Sequence, residues 1–204
     1  MSALHSLSLV AGFLPFALIA GITPGPNNFM LAASGANFGY RRTVPHILGV
    51  ILGFLFLAFI LGLGLEAIFS RYPTVHTVLK VLGAVFLFYL AWRIASAGIH
   101  VAEGGKGRPL TFLEAALFQW VNVKAWLVII NAIGLYTTTG GDLTAELAVI
   151  LAGFLLAAVI SANAWAIFGV GIHKVIGANP KAMRIFNIAM GVALVATLIP
   201  ILRS

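Results

Sequence analysis

The sequence predicts an all-α integral membrane protein, and three observations support this fold class. Of the 204 residues, 61% are hydrophobic and only 8% are charged, whereas a soluble domain carries about 25% charged residues. The mean hydropathy is +1.08. The apolar residues also fall in continuous runs of about 20 residues, the length that a helix needs to cross a bilayer. This composition excludes a soluble enzyme, a disordered chain and a nucleic-acid-binding protein.

Six apolar runs define six predicted transmembrane helices. They cover residues 9–38, 44–69, 75–97, 113–136, 147–172 and 185–202. The longest separator ends in Gly104-Gly105-Lys106-Gly107-Arg108-Pro109, a composition typical of an exposed, flexible loop. We therefore predict one transmembrane domain over residues 1–204, in which a glycine-rich cytoplasmic loop joins two halves at about 1–100 and 110–204.

Helix 1 is predicted to span the membrane and to break at Pro24-Gly25-Pro26. Residues 1–6 lack the Lys or Arg of a signal peptide. Two prolines remove backbone donors, and a straight helix over residues 9–38 would be about 45 Å long, more than the bilayer needs. The following half-helix would begin near Asn27 and Asn28 and favour an anion such as a carboxylate. A simple proline kink, or a connector at the membrane surface, fits the same residues.

Helix 2 contains Gly49 and Gly53, a GxxxG spacing that permits close approach of two helices. His46 lies at the start of this helix and is expected at the membrane interface. Because GxxxG is frequent in membrane helices, it does not demonstrate dimerisation. The sequence therefore leaves open whether copies of the chain form a homo-oligomer.

Helix 4 carries a second interruption, Gln119-Trp120-Val121-Asn122-Val123-Lys124. Lys124 lies about 18 Å from either end of the helix, too deep for its ammonium to reach an interface. The ammonium is expected to face the bundle interior and to mark a transport pathway. It would serve as a counter-charge for a substrate carboxylate or as a proton carrier. The alternative is a structural salt bridge to Glu66 or Glu114.

Helices 5 and 6 contain further polar residues within apolar sequence. Ser161, Asn163 and Trp165 lie in helix 5, and Asn187 lies in helix 6. Interhelical hydrogen bonding is the usual role of such groups. For Asn163, lining a transport cavity and packing between helices are equally open interpretations.

The helix order predicts two inverted three-helix repeats. With three spans in each half, the second half must be upside down relative to the first. Residues 50–55 resemble residues 149–155, and helices 1 and 4 carry interruptions at matching offsets. Paired interruptions in an inverted repeat point to the binding site of a transporter.

Basic residues predict the orientation of the chain, because an excess of Lys and Arg marks the cytoplasmic side. Only Arg71, Lys80 and Arg203 lie on the side of the even-numbered loops and the tail. Eight of the 12 basic residues follow or flank the ends of spans one, three and five: Arg41, Arg42, Arg93, Lys106, Arg108, Lys174, Lys181 and Arg184. These three ends are therefore expected in the cytoplasm and both termini in the periplasm.

The sequence contains no motif of an enzyme or of an ATP-driven pump. HExxH, GxSxG and P-loop patterns are all absent from it. The chain has no Cys, and its five His residues do not cluster, which argues against a heavy-metal site. We therefore expect no cofactor and no bound metal.

The two interruptions resemble the signatures of the LysE/RhtB family (LysE-type translocators), small exporters of amino acids and their derivatives. Thr23-Pro24-Gly25-Pro26-Asn27 matches the first signature, and Gly39-Tyr40-Arg41-Arg42 follows in the family's order. The second signature usually reads Asn-Pro-Lys-Ala, whereas this chain has Asn122-Val123-Lys124-Ala125. The missing proline predicts a more continuous helix 4 than in other members. With Asn163-Ala164-Trp165-Ala166, this variant is similar to the branch of cysteine/O-acetylserine exporters.

The resemblance implies efflux of a small zwitterion, an amino acid or derivative, across a bacterial inner membrane. The expected coupling ion is the proton. The substrate carboxylate would meet the helix terminus and Lys124, and the amine would meet backbone carbonyls freed at the break together with an asparagine. The predicted substrate-binding residues are Pro24, Gly25, Pro26, Asn27, Asn28, Asn122, Lys124 and Asn163.

Three rival hypotheses use the same residues. A passive channel or facilitator would use the same central path without coupling. A non-transporting membrane scaffold would use the motifs only for helix packing. Metal-ion export is disfavoured because the chain has no Cys.

Overall fold

The chain folds into helices throughout the parts that the structure describes. The structure, a computed structural model, describes residues 3–65, 73–102, 107–138 and 141–199. The first half contains α1 (Ala3–Ile22), α2 (Pro26–Phe38), α3 (Tyr40–Ile60) with a π-helical turn (Leu61–Leu65), and α4 (Pro73–Ala102). The second half contains α5 (Phe112–Phe118), a 3-10 turn (Gln119–Val121), α6 (Val123–Tyr136), α7 (Leu143–Ile176) and α8 (Pro180–Ala196).

Two helices of the described ranges are long and apolar enough to cross a membrane on their own, Tyr40–Gly64 and Leu143–Ile176. Two bent pairs give up to two more spans: Leu9–Ile22 with Pro26–Phe38, and Phe112–Val121 with Val123–Tyr136. Helix α4 contains a shorter apolar segment, and α8 has 17 residues. The prediction of a helical membrane protein is confirmed, and the six-span arrangement stays a prediction.

The predicted break in helix 1 is confirmed. Helix α1 ends at Ile22 and α2 begins at Pro26, with an angle of 55° between the two segments. Gly25 is the N-cap of α2 and has an extended backbone. Pro26 occupies the first turn of α2, where a missing N–H costs no helical hydrogen bond. The Pro-Gly-Pro sequence therefore ends one helix and starts the next.

Helix 4 is bent although it lacks the proline, and whether it is more continuous than in other members stays a prediction. The chain bends by 65° between Phe112–Val121 and α6, although no proline lies at the break. The 3-10 turn winds the end of the first segment more tightly. The next residue, Asn122, has non-helical dihedral angles, with φ −86° and ψ 93°. The Asn122 carbonyl still accepts hydrogen bonds from the Ala125 N–H at 2.9 Å and the Trp126 N–H at 3.3 Å. A single asparagine in a non-helical conformation therefore bends this helix without a proline.

Helix α2 lies at the centre of the bundle, and nine of its 13 residues are buried. It packs on α7 through glycines, since a Cβ at Gly169 would lie 2.8 Å from the Ala32 carbonyl carbon and 2.9 Å from the Ala36 nitrogen. A Cβ at Gly35 would overlap the backbone of Ala166. These small residues let the two helix backbones approach closely.

The GxxxG spacing of helix 2 produces a second close approach, as predicted. A Cβ at Gly49 would lie 2.8 Å from the Ala115 Cβ, and one at Gly53 would lie 2.5 Å from the Ala116 Cα. Helix α3 therefore packs directly against α5. The two glycines therefore allow close packing between the first and second halves of one chain.

The basic segments that follow helices 1 and 3 meet at one end of the bundle. The Arg42 Nη2 donates a hydrogen bond to the Gly107 carbonyl at 3.5 Å, and the Arg93 Nη2 donates one to the Arg108 carbonyl at 3.1 Å. Arg108 also forms an ion pair with Glu114 at 2.6 Å. The hydrogen bond from Arg108 to Glu114 raises the pKa of the guanidinium further above its usual value, so this arginine stays charged.

The start of α8 reaches the same end of the bundle. The amides of Asn37 and Asn187 pair reciprocally, with N···O distances of 2.7 and 3.0 Å. Lys181 and Arg184 lie within two turns of Asn187 on α8. Most of the basic residues predicted to share one side of the membrane are therefore close in space. The residues Glu66, Arg71, Lys106 and Arg203, and the side chain of Lys80, lie outside the described residues.

Candidate transport site

The two helix breaks meet at a central cavity of about 80 Å³. Five helices line it (α1, α2, α3, α6 and α7), and most of its wall is apolar. A single water occupies roughly 10–15 Å³ on this measure, so the cavity has room for a small solute. Its polar lining residues are Asn27, Asn28, Asn122, Lys124 and Ser161.

Lys124 bridges the two breaks. It lies in the first turn of α6, is half-buried, and its Nζ donates hydrogen bonds to the carbonyls of Thr23 at 2.5 Å and Pro24 at 3.4 Å. These carbonyls follow α1, whose C-terminal end carries the negative pole of the helix dipole. Glu114 binds Arg108 instead, so the predicted alternative of a Lys124–Glu114 salt bridge is wrong.

Glycine is needed at position 25 because a side chain would not fit there, and not because of the backbone conformation. Its φ of −177° and ψ of 179° are available to any residue. A Cβ on Gly25, however, would lie 2.8 Å from the Cδ and 3.1 Å from the Nζ of Lys124. The absence of a side chain at this position lets the lysine lie flat against the break.

Side chains of the protein already satisfy the carbonyls at the end of α1. Asn28 donates to the Gly21 carbonyl at 2.9 Å and to the Thr23 carbonyl at 2.8 Å. From α7, Ser161 donates to the Gly21 carbonyl at 2.7 Å, and Trp165 donates to the Ile22 carbonyl at 3.1 Å. The carbonyls freed at the break are therefore occupied, and a substrate amine must displace a donor to reach them.

Both half-helices that follow the breaks begin without a side-chain cap. The N-cap residues are Gly25 for α2 and Asn122 for α6, and neither donates or accepts a capping side-chain bond. The first N–H groups of a helix have no partner within it, so two positive helix ends converge on the cavity. The Asn122 side chain is 3% exposed, and its Oδ1 has no hydrogen-bond partner among the described residues.

A reciprocal amide pair joins the two breaks. The Asn27 Nδ2 donates to the Gln119 Oε1 at 2.8 Å, and the Gln119 Nε2 donates to the Asn27 Oδ1 at 3.1 Å. Gln119 is fully buried and also donates to the Ala115 carbonyl at 2.9 Å. Sequence reasoning placed Gln119 in the interruption without assigning it to the site. The signal was available, since a buried amide in an apolar helix must find a partner.

Six of the eight predicted site residues line the cavity, and Pro24 adjoins it through its carbonyl bond to Lys124. Asn163 does not line the cavity. Its Oδ1 accepts a hydrogen bond from the Tyr40 hydroxyl at 2.5 Å, and its Nδ2 donates to the Val159 carbonyl at 2.7 Å. Ser161, two residues earlier on α7, lines the cavity instead of Asn163. Ser161 and Trp165 are one helical turn apart and so share a face of α7, and this spacing was the signal available in the sequence.

The cavity therefore offers one ammonium, two helix N-termini and amide groups inside apolar walls. In the part of the chain that the structure describes, no cluster of three or more His, Cys, Asp or Glu residues could hold a metal ion. These groups are chemically suited to a small polar molecule with a negative group.

A family model gives this site its context. The model of the LysE type translocator matches residues 18–199, nearly the whole chain. The chain belongs to the LysE type translocator family. As a member, it is a membrane translocator and not an enzyme, and its apolar helices agree with a multi-pass bacterial membrane protein.

Three curated relatives similar to this chain are named cysteine/O-acetylserine efflux protein. Those of Escherichia coli (strain K12) and Shigella sonnei (strain Ss046) are 30% identical to this chain over 130 residues, which cover 63% of this chain and 66% of theirs. The protein of Shigella flexneri is 30% identical over 129 residues, which cover 63% of this chain and 65% of its own length. The match thus spans slightly less than two thirds of these relatives. No solved structure matches the chain.

Proposed function

We propose that this chain exports a small amino acid or amino-acid derivative from the cytoplasm through the central cavity. One observation carries the proposal: Lys124 and two uncapped helix N-termini share a cavity that lies between two broken membrane helices. Membership of a translocator family supports it independently. Broken helices whose half-helix ends face a substrate are a common design of secondary transporters.

The carboxylate of the substrate binds at the positive groups. The Lys124 ammonium supplies one donor, and the free N–H groups at the starts of α2 and α6 supply others. Hydrogen bonds between charged partners are about twice as strong as neutral ones. Apolar walls exclude water and so strengthen this attraction.

The amine of the substrate competes with Lys124 for the same carbonyls. The lysine holds the carbonyls of Thr23 and Pro24 in the structure. A substrate ammonium is the same chemical group and can take them over, while Lys124 turns to the carboxylate. The unpartnered Asn122 Oδ1 is a further acceptor for the amine. Binding would thereby loosen the link between the two breaks.

The six-span architecture of two inverted repeats is part of the proposal, and helix packing supports it. Helix α1 packs on α7, and α5 packs on α3. If α1 corresponds to α5 and α3 to α7, then the α1–α7 contact and the α5–α3 contact are equivalent in the two repeats. Helices α4 and α8, which correspond to each other, pack together. These equivalent contacts are expected from a pseudo-two-fold axis, whereas the close packing of α2 on α7 has no comparably extensive counterpart between the described residues of α6 and α3.

The proposed orientation places the basic end in the cytoplasm and both termini in the periplasm, with the chain in the inner membrane. The proximity of Arg42, Arg93, Arg108 and the start of α8 at one end supports this assignment. Uphill export requires an energy source, and we propose the proton motive force, with Gly21 and Gly25 as hinges between the halves.

Cysteine and O-acetylserine are the first candidate substrates, because the curated relatives are named for them. Both are small zwitterions, which suits a cavity of about 80 Å³.

An efflux assay tests the proposal. Inside-out vesicles that contain the full chain are given a panel of labelled amino acids, with and without a proton gradient. An exporter accumulates one or a few of them only when the gradient is present. Downhill flux that ignores an uncoupler would indicate a passive facilitator, and no flux of any compound would indicate a scaffold.

A further inference from the structure

A second cavity of about 60 Å³, also with a mostly apolar wall, lies at the basic end of the bundle. We name it the arginine cavity, and its polar lining residues are Ser34, Asn37, His46, Arg93 and Arg108. Three of these are already engaged. Ser34 shares a hydrogen bond with the Thr43 hydroxyl at 2.9 Å, Asn37 pairs with Asn187, and Arg108 binds Glu114. The remaining two, His46 and Arg93, have buried nitrogen atoms without a hydrogen-bond partner among the described residues.

His46 is buried without a partner. Its side chain is 1% exposed, and neither ring nitrogen has a hydrogen-bond partner among the described residues. The side chain therefore lies inside the helix bundle, and its expected depth at the membrane interface stays a prediction. A neutral imidazole has one donor and one acceptor, and burying both unpaired is costly. A ligand that accepts a hydrogen bond would satisfy the donor.

Arg93 is held in place but only partly satisfied. Its Nη2 donates to the Arg108 carbonyl at 3.1 Å, and its guanidinium lies 5.7 Å from the centre of the Tyr89 ring. Its Nη1 is buried and has no hydrogen-bond partner in the part of the chain that the structure describes. Within the described ranges, no carboxylate pairs with this guanidinium, whereas Arg108 beside it is paired. A fixed, uncompensated guanidinium with a free donor is suited to an anion, and above all to a carboxylate.

We propose that the arginine cavity is a second binding site, which takes the carboxylate of the amino acid before it reaches the central cavity. Arg93 and His46 supply the donors. The proposal rests on the proposed function for the identity of the ligand. The positive charge disfavours a cation that lacks a carboxylate, and the small volume disfavours a larger anion.

Helix α2 connects the two cavities. Asn27 and Leu31 line the central cavity, and Ser34 and Asn37 line the arginine cavity. Successive turns of one buried helix therefore lead from one cavity to the other. At 1.5 Å per residue, Asn27 and Asn37 are about 15 Å apart along the axis. A substrate would pass from the basic end to the helix breaks along this side of α2.

Site counting tests the proposal. Equilibrium dialysis of the detergent-solubilised full chain with labelled O-acetylserine measures the number of bound molecules and their affinity. We expect two sites in the unmodified chain, one in Arg93→Gln and one in Lys124→Met. Loss of the arginine contact should weaken binding at its site about tenfold or more. The methyl ester of O-acetylserine, which lacks the carboxylate, should not compete there.

Arg41→Gln is the matched control, because Arg41 is exposed at the same end and lines neither cavity. It should keep both sites. His46→Phe, which retains a ring but no nitrogen, provides a second variant if Arg93→Gln does not fold, and it should also weaken the second site.

The outcomes separate the two proposals. Unchanged binding in folded Arg93→Gln and His46→Phe, with a site lost in Lys124→Met, would overturn the arginine cavity and leave the central site intact. Loss of a site in Arg93→Gln but none in Lys124→Met would support the arginine cavity and overturn the central site. Displacement of the label from the second site by a far lower concentration of phosphatidylglycerol than of unlabelled O-acetylserine would overturn a carboxylate site in favour of a lipid headgroup.

Discussion

Lys124 shows how a membrane protein tolerates an ammonium group in its interior. The group is placed where backbone carbonyls at the end of α1 have lost their helical donors, so the lysine and the break satisfy each other. Gly25 makes this possible by leaving room for the lysine methylenes. The same arrangement leaves the ammonium beside an open cavity, where a ligand can replace the carbonyls.

Substitution of Gly25 by alanine should displace Lys124 without unfolding the protein. The added Cβ would lie 2.8 Å from the Lys124 Cδ, and a flexible side chain can move away. We expect a melting temperature close to that of the unmodified chain and efflux reduced about tenfold or more, which corresponds to about 1.4 kcal/mol. Vesicle efflux and thermal unfolding measure the two effects.

The matched control is Gly134→Ala on α6, where a Cβ would contact nothing within 4 Å. It should leave both properties unchanged. Unimpaired efflux by Gly25→Ala would show that the position of Lys124 against the break does not matter.

Sequence reasoning identified the residues that interrupt the apolar pattern but not their partners. Lys124 stood out because charge is rare in a membrane span, and Pro24 stood out because a proline breaks or kinks a helix. Gln119 and Ser161 did not, because an amide or a hydroxyl in such a helix is common and its partner lies far away in the sequence. Asn163 has a similar local sequence to Ser161 but faces Tyr40. Which face of α7 meets the cavity is decided by packing alone.

At the scale of the elements, the two breaks are held together by the Asn27–Gln119 amide pair. Replacing Gln119 by leucine would leave the Asn27 amide without its partner. We expect a loss of about 1–3 kcal/mol in the free energy of unfolding, the cost of a buried unsatisfied polar group. Denaturant unfolding in detergent measures it.

Asn131→Leu is the control for that substitution. Asn131 is exposed, and its side chain bonds only to the Leu127 carbonyl one turn earlier. Its replacement should change the stability by less than about 0.5 kcal/mol. Equal effects of the two substitutions would mean that the amide pair does not hold the breaks together.

The close packing of α2 on α7 makes a second prediction at this scale. Gly169→Ala would bring a Cβ within 2.8 Å of the Ala32 carbonyl carbon, which belongs to a rigid backbone. Overpacking of this kind costs about 1–3 kcal/mol, and the melting temperature should fall. Gly171→Ala, on the same helix with open space around it, should not lower it. A melting temperature unchanged by Gly169→Ala would contradict the close approach of these helices.

The two breaks also show what an apolar pattern can predict about helices. The first was predictable because proline forbids a helical hydrogen bond at its own position. The second has no proline, and its cause is the conformation of Asn122, which the bond to Gln119 and the surrounding packing support. The absence of a proline therefore did not keep this helix straight, because the conformation of one asparagine bends it.

At the scale of the whole molecule, the proposed topology places Arg41 in the cytoplasm and the α6–α7 connection in the periplasm. The chain has no Cys, so single cysteines at Arg41 and at the exposed Leu143 can be labelled selectively. A membrane-impermeant maleimide added outside spheroplasts should label Leu143→Cys and not Arg41→Cys. The reverse pattern would invert the proposed orientation.

The helical membrane class follows from composition, since so few charges cannot cover a soluble surface. The arrangement of the helices does not, because apolar residues face lipid and protein alike and their pattern does not distinguish neighbours. The position of α2 at the centre of the bundle depends on small residues at Gly35 and Gly169, which look ordinary in a sequence with 22 glycines.

The central claim is that the ammonium between the two breaks belongs to the transport site. Uphill efflux of O-acetylserine from proteoliposomes, driven by a proton gradient, tests it most directly when Lys124→Met is compared with Lys174→Met. Lys174 is an exposed lysine outside the cavity, so its replacement should leave uphill efflux intact. Lys124→Met should insert into the membrane normally and transport nothing. Transport by folded Lys124→Met at the rate of the unmodified chain would contradict the claim.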